Sequence, residues 1–146
     1  FEEFNPDIKF DTILMGHILE HVKSPIFFLK RVKNWLKSGG VILITVPNAN
    51  SLHRQAGVKM GLLKKVTELN KSDLLIGHRR VYTVNVLKNH INRGGLKIRK
   101  IGGIFLKPLS NKQIEETWSE ELINAYYELG KKYQEIAAEI YAVCYK

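Results

Sequence analysis

Apolar residues along the chain fall into short continuous runs and into stripes at helical spacing. Phe10 to Met15 (FDTILM) is a short run that reads as a buried strand. Ser24 and Pro25 follow, an N-cap residue and then a proline at the first helical position, where the missing N–H has no partner to lose. Phe28, Val32 and Trp35, with Leu29 and Leu36 beside them, then recur on one helical face, while Lys30, Arg31, Lys33 and Lys37 take the other. Gly39 and Gly40 predict the stop, since glycine accepts the left-handed C′ conformation without steric cost; the helix is expected over 24–38. Val41 to Val46 (VILITV) is continuously apolar and β-branched, the pattern of a parallel strand covered on both faces. Strand, helix and strand in this order predict a right-handed βαβ unit.

Pro47 and Asn48 close the second strand. From Ala49 to Tyr82 there are only weak helical patches, at 52–60 and 62–69, among scattered Gly, Asn and Ser. Connections of this length commonly serve as lids or binding loops. Thr83 caps a helix carrying Val84, Leu87 and Ile91, which Gly94 and Gly95 stop. Leu96 to Leu106 reads as a strand with a bulge at Gly102 and Gly103. Ser119 caps a further helix with Glu120 and Glu121 in its first turn and Lys131 and Lys132 in its last, matching the helix dipole. Leu122, Tyr126, Leu129 and Tyr133 are its expected buried stripe, and Ala138 to Tyr145 is a closing strand. The Leu96 and Ala138 strands should pair antiparallel, with the last strand inserted beside the Val41 strand. No repeat, low-complexity tract or domain boundary interrupts the 146 residues, so they read as one α/β unit.

Composition narrows the class without naming the function. With 45% hydrophobic and 25% charged residues the chain is ordinary globular material, and no run approaches the roughly 18 apolar residues of a membrane span. The single cysteine, Cys144, excludes an internal disulfide framework and a multi-cysteine metal site, which points to a reduced, cytoplasmic compartment. The net charge is +9, from 23 Lys and Arg against 14 Asp and Glu, but the basic residues are spread along the chain rather than blocked into a tail. Such a surface mainly solvates helix and strand faces. The opening Phe1-Glu2-Glu3-Phe4 lacks an initiator Met and leads almost directly into a strand, as a segment of something longer would.

In an open α/β sheet, ligands bind beyond the carboxyl ends of parallel strands. Two such ends are identifiable: Met15-Gly16-His17-Ile18, continuing to Glu20 and His21, and Val46-Pro47-Asn48. Gly16 lets backbone approach a ligand, while His17 and Asn48 offer polar atoms at the crevice rim. His17, Glu20 and His21 also have the i, i+3, i+4 spacing of metal ligands on one helical turn. His53 and His90 sit in no comparable context.

FDTILMGHILEHVKSPIFFLKRVKNWLKSGGVILITVPN resembles the fourth strand, following helix and fifth strand of class I S-adenosylmethionine-dependent methyltransferases. Gly77-His78-Arg79-Arg80-Val81-Tyr82-Thr83 resembles the family's segment before its late helix and sixth strand, and AEIYAVCYK its antiparallel last strand. The resemblance implies an α/β, Rossmann-like methyltransferase fold of which residues 1–146 form one partial domain, from about strand four onward: a parallel βαβ followed by an antiparallel terminal strand pair. Residues 49–82 would be a substrate-lid insertion. The family's glycine-rich cofactor loop and acidic ribose clamp have no counterpart, for no G-x-G occurs.

The resemblance further implies methyl transfer from S-adenosylmethionine to a small, anionic acceptor. Met15, Gly16, His17 and Ile18 would wall the methionine end of the cofactor; Asn48, His78, Arg79 and Tyr82 would contact the acceptor; His17 and His78 would act as bases. Some relatives bind a divalent ion with a Glu-x-x-Glu-His segment and a later histidine, a part His78 would play, but His17 stands in place of the first Glu and the reading assigns no metal. Two rivals remain: a non-catalytic methyltransferase-like binding domain, and an RNA methyltransferase, against which stands the lack of a stacked aromatic series. The expected partner is thus a small molecule rather than nucleic acid or a membrane. Taken alone, residues 1–146 are expected to be inactive, and the Phe10 edge to be covered by further chain or by a second copy in a homodimer.

Overall fold

The computed structural model describes residues 4–146. In chain order it has β1 (Phe10–Gly16), α1 (Pro25–Asn34), β2 (Leu36–Pro47), α2 (Leu52–Lys59), α3 (Lys71–Leu75), α4 (Val84–Arg93), β3 (Lys97–Ile104), α5 (Asn111–Thr117), α6 (Glu120–Lys132) and β4 (Glu139–Tyr145). The strands form one sheet in the order β1-β2-β4-β3, with β1 and β2 parallel and both pairs made by β4 antiparallel. This is the arrangement the strand patterns predict, including insertion of the last strand beside β2. It aligns the carboxyl ends of β1, β2 and β3 along a single rim, where β4 begins at Glu139.

The two faces of the sheet differ. Ile42, Ile44 and Val46 of β2 and Ile140, Ala142 and Cys144 of β4 are fully buried in one cluster with Phe28, Leu29 and Val32 of α1 and Leu87 and Ile91 of α4. Each such Val, Leu, Ile or Phe side chain contributes roughly 1.5–3 kcal/mol of transfer free energy, which makes this layer the main hydrophobic term. The alternate residues, among them Leu43, Thr45 and Tyr141, line a cleft of about 430 Å³ that α6 only partly covers. The outer edge of β1 has no strand partner among the described residues. An apolar cleft of about 310 Å³ opens on this strand, with Phe10, Ile13 and Met15 facing Phe28 and Trp35.

Several boundaries depart from the sequence pattern. Helix α1 ends at Asn34, and Ser24 makes no side-chain cap bond. Leu36 already pairs with Phe10, and the register then shifts so that Thr12 meets Val41; Gly39, at φ 77, turns within this irregularity rather than stopping a helix. The irregularity in β3 lies between Ile98 and Lys100, not at Gly102 and Gly103. Those glycines answer a packing demand instead: a Cβ on Gly102 would stand 2.7 Å from the Tyr141 ring, and one on Gly103 would stand 2.5 Å from Ala137 Cβ. Residues 62–69 form no helix, whereas α3 and α5, which apolar periodicity does not announce, are held by capping boxes at Asn70/Asp73 and Ser110/Gln113. On α6 the inward face runs through Ile123, Tyr126, Leu129 and Gly130, leaving Leu122 and Tyr133 exposed. The caps at Thr83 and Ser119 are present as expected, accepting from Val86 N and Leu122 N.

Candidate functional site

The chain leaves β1 through His17, whose φ of 52 turns it sharply over the rim. A side chain there lands between two carboxylates: Nε2 lies 3.3 Å from Glu139 Oε1 and Nδ1 lies 3.1 Å from Glu20 Oε1. Hydrogen bonds to Glu139 and then Glu20 push its pKa up to about 10, so the ring is an imidazolium at neutral pH. A base was the expected role for His17; a ring already protonated and held by two carboxylates cannot take another proton, and the structure gives it a bridging role instead. Met15 is buried beneath this turn, while Gly16 is exposed. A Cβ added at Gly16 would meet only Thr45 Oγ1, at 3.6 Å. With Ile18 half-buried beside it, the strand end offers an open backbone wall of the kind expected to face the cofactor's methionine end.

Beneath the rim, Glu20 is fully buried and its Oε2 has no hydrogen-bond partner among the described residues. Its carboxylate, His21 and His78 bring three ligand atoms within 4.8 Å of one another. The two imidazoles pack edge to face with centroids 4.8 Å apart, and His78 Nδ1 lies 3.4 Å from Asp73 Oδ1, too loosely aligned to count as a hydrogen bond. One carboxylate and two imidazoles, with an orphaned oxygen and an orphaned nitrogen, form a donor set suited to a divalent ion of the zinc type.

The remaining expected acceptor contacts are not gathered at an open surface. Asn48 is buried, donating from Nδ2 to Glu135 O and Ala137 O, both at 2.9 Å, and accepting at Oδ1 from Asn50 N. Tyr82 is fully buried, forms a single parallel bridge with Asn48, and places its hydroxyl 3.3 Å from Leu19 O and 3.2 Å from His90 Nδ1; burial raises its pKa. Both side chains brace the rim rather than present free polar atoms to it. Arg79 is exposed but donates from Nε to His21 O, and Arg80 clamps the carbonyls of Leu19 and Val22 at 2.7 and 2.6 Å. The arginines thus hold the Leu19–Lys23 turn that carries Glu20 and His21.

Residues 49–82 do cross the rim. Ala49 N donates to Tyr82 O, Arg79 N to Glu20 O, and His53 N to Lys107 O beyond β3. Arg54 is the buried anchor of this segment, bonding Val66 O, Glu68 O and Asp73 Oδ2. Sequence reading gave Arg54 and His53 no role, because their partners lie in other segments that only the fold brings near.

Comparison with known proteins agrees with the geometry. A family model described as a methyltransferase domain matches residues 1–101. A curated relative, the ubiquinone biosynthesis O-methyltransferase of Parvibaculum lavamentivorans, is 29% identical over 103 residues, covering 70% of this chain and 40% of that protein. An S-adenosylmethionine-dependent methyltransferase from Mesorhizobium loti superposes with a TM-score of 0.62 at 15% identity, covering 99% of this chain and 66% of that one. The plantazolicin methyltransferase BamL, solved with S-adenosylhomocysteine (SAH), gives 0.55 at 16% identity, covering 97% and 55%. The chain therefore spans less than two thirds of the length of these relatives.

Proposed function

Because the chain belongs to the methyltransferase-domain family, we propose that the protein carrying it transfers a methyl group from S-adenosylmethionine to a small, anionic acceptor. The observation that carries this reading is the rim itself: three parallel strand ends, an open Gly16 backbone, and residues 49–82 laid across them as a lid. The bound donor supplies an electrophilic methyl on a sulfonium. Met15, Gly16 and Ile18 wall its methionine end. His17, held as a cation by Glu139 and Glu20, ties the end of β1 to the start of β4 and fixes that wall. To Arg79, exposed although its Nε donates to His21 O, we assign the contact with an anionic group of the acceptor.

Binding of SAH by calorimetry, followed by a methyl-transfer assay, tests the proposal. Donor binding without turnover on any small acceptor would favour a non-catalytic domain, and salt-sensitive RNA binding would favour an RNA methyltransferase. The Glu20, His21 and His78 cluster supports one addition, that these residues hold a divalent cation, which would supply a Lewis acid near the rim. Zinc titration of the wild type and of His78→Gln tests it: equal affinity in both, or turnover indifferent to a chelator, would dispose of the site.

A further inference from the structure

Five large apolar side chains stand in solvent between positions 60 and 76: Met60, Leu62, Leu74, Leu75 and Ile76, from 59% to 86% exposed. They share one region. Met60 and Leu62 line a cleft of about 580 Å³ together with Asn70, and Asn70 is the N-cap of α3, so Leu74 to Ile76 follow within roughly 9 Å along the helix axis. The backbone beneath them is firmly held. Arg54 bonds Val66 O, Glu68 O and Asp73 Oδ2, and the Asn70/Asp73 capping box closes the start of α3. No residue of α3 is buried. Polar bonds therefore fix this segment while its leucines face water. Apolar residues exposed singly are ordinary, but a group of this size on one short segment marks an interaction surface.

The charges around the group have one sign. Lys59, Lys64, Lys65 and Lys71 are interspersed with these apolar residues and exposed, and none forms an ion pair among the described residues. The two carboxylates of the segment are already engaged: Glu68 Oε2 accepts from Lys64 N, and Asp73 pairs with Arg54. Residue type then separates the classes of partner. Protein interfaces are depleted in lysine and anchored by Trp, Tyr and Arg, yet no Phe, Tyr, Trp or Arg occurs from 55 to 77. The same lack leaves nucleic-acid bases nothing to stack on. A lipid surface needs none of these, because its fluid interior closes round protruding leucines and flexible lysines reach its phosphates.

We infer that residues 59–76 dock on an anionic membrane surface, with Leu62, Leu74 and Leu75 entering the headgroup boundary and the four lysines pairing with lipid phosphates. Such contact is interfacial. Among the described residues no helix is long and apolar enough to cross a membrane, and docking of this kind requires none. The inference is independent of the methyltransferase reading, since lipid binding is measured without methyl donor or acceptor.

The test sediments the protein carrying this chain with vesicles of phosphatidylcholine alone, and with vesicles of phosphatidylcholine mixed with phosphatidylglycerol. Binding should be strong only on the mixed vesicles and should weaken as salt is added. Lys64→Gln combined with Lys65→Gln should weaken it about 25-fold, roughly fivefold for each lysine lost near an anionic surface. Lys30→Gln combined with Lys88→Gln, the same loss of charge on exposed positions of α1 and α4, should leave it nearly unchanged. Leu75→Trp should gain a blue-shifted emission component, absent from wild type, that lipids brominated on their acyl chains quench. Its position is 86% exposed, and an unaltered thermal melt reports that the variant is folded. Absence of binding to mixed vesicles, or equal losses in the two lysine pairs, would overturn the inference; the second outcome would mean attraction by net charge alone. An unquenched Leu75→Trp would overturn it as well. A blue shift that grows with protein concentration in the absence of lipid would instead assign the patch to a second copy of the chain.

Discussion

Arg54 is 6% exposed and Asp73 13%, and the guanidinium satisfies the carbonyls of Val66 and Glu68 as well as the carboxylate. Removing it takes the guanidinium from a part-buried carboxylate and two part-buried carbonyls, the costly way to break such a network. Arg54→Met is therefore expected to destabilise the protein by about 3 kcal/mol, seen as a lower urea midpoint with little change in slope. His53 gives a pH signature. Its folded pKa of about 4 lies below its ordinary 6.5, so between these values the unfolded chain binds the extra proton. Stability must then fall as pH drops from about 6.5 toward 4 and level off below. His53→Gln should lose less stability across that window than wild type when thermal melts are compared. Neither residue was legible beforehand. Gly16 and His17 stand out at the end of an apolar run, but the meaning of His53 depends on Lys107, and that of Arg54 on Asp73, contacts made only once residues 49–82 have folded.

Among the elements, those with a large apolar face were readable and those held by caps or close contacts were not. Ile42, Ile44 and Val46 of β2 and the Phe28/Val32 face of α1 share one buried cluster, so their patterns mark a large hydrophobic contribution to folding. The short helices α3 and α5 bury little; Ile114 is the one buried residue the two share between them. Helix α6 shows how a pattern can mislead by one position. Its approach to β3 is set by Gly130, where a Cβ would lie 2.3 Å from Phe105 N, and this contact rotates Leu122 outward. Gly130→Ala sets about 1 kcal/mol of gained helix propensity against a backbone collision costing typically 1–3 kcal/mol. The collision is with main chain, which cannot step aside, so the melting temperature should fall. A rise would mean that α6 can shift freely on the sheet.

For the molecule as a whole, the unpaired side of β1 is the least resolved part of its energetics. Leu14 is 70% exposed on that strand and an apolar cleft lies beside it, so residues 1–146 expressed by themselves should self-associate at this edge. Sedimentation velocity on that chain should show larger species, and Leu14→Lys should reduce them; a monodisperse monomer at high concentration would count against the edge being sticky. The opposite side of the sheet behaves differently. Cys144 sits on β4 between β2 and β3, fully buried, and burial pushes its thiol up to about 12. Alkylating reagents attack the thiolate, so iodoacetamide finds neither access nor a reactive sulfur in the native state. Because Cys144 faces the layer packed by α1 and α4, rearrangement of residues 49–82 leaves the sulfur untouched, and only separation of that helical layer from the sheet exposes it. Mass-spectrometric labelling kinetics at this one atom should therefore follow global unfolding measured by circular dichroism across a urea series. The single cysteine then serves as a built-in clock for how often the native protein opens.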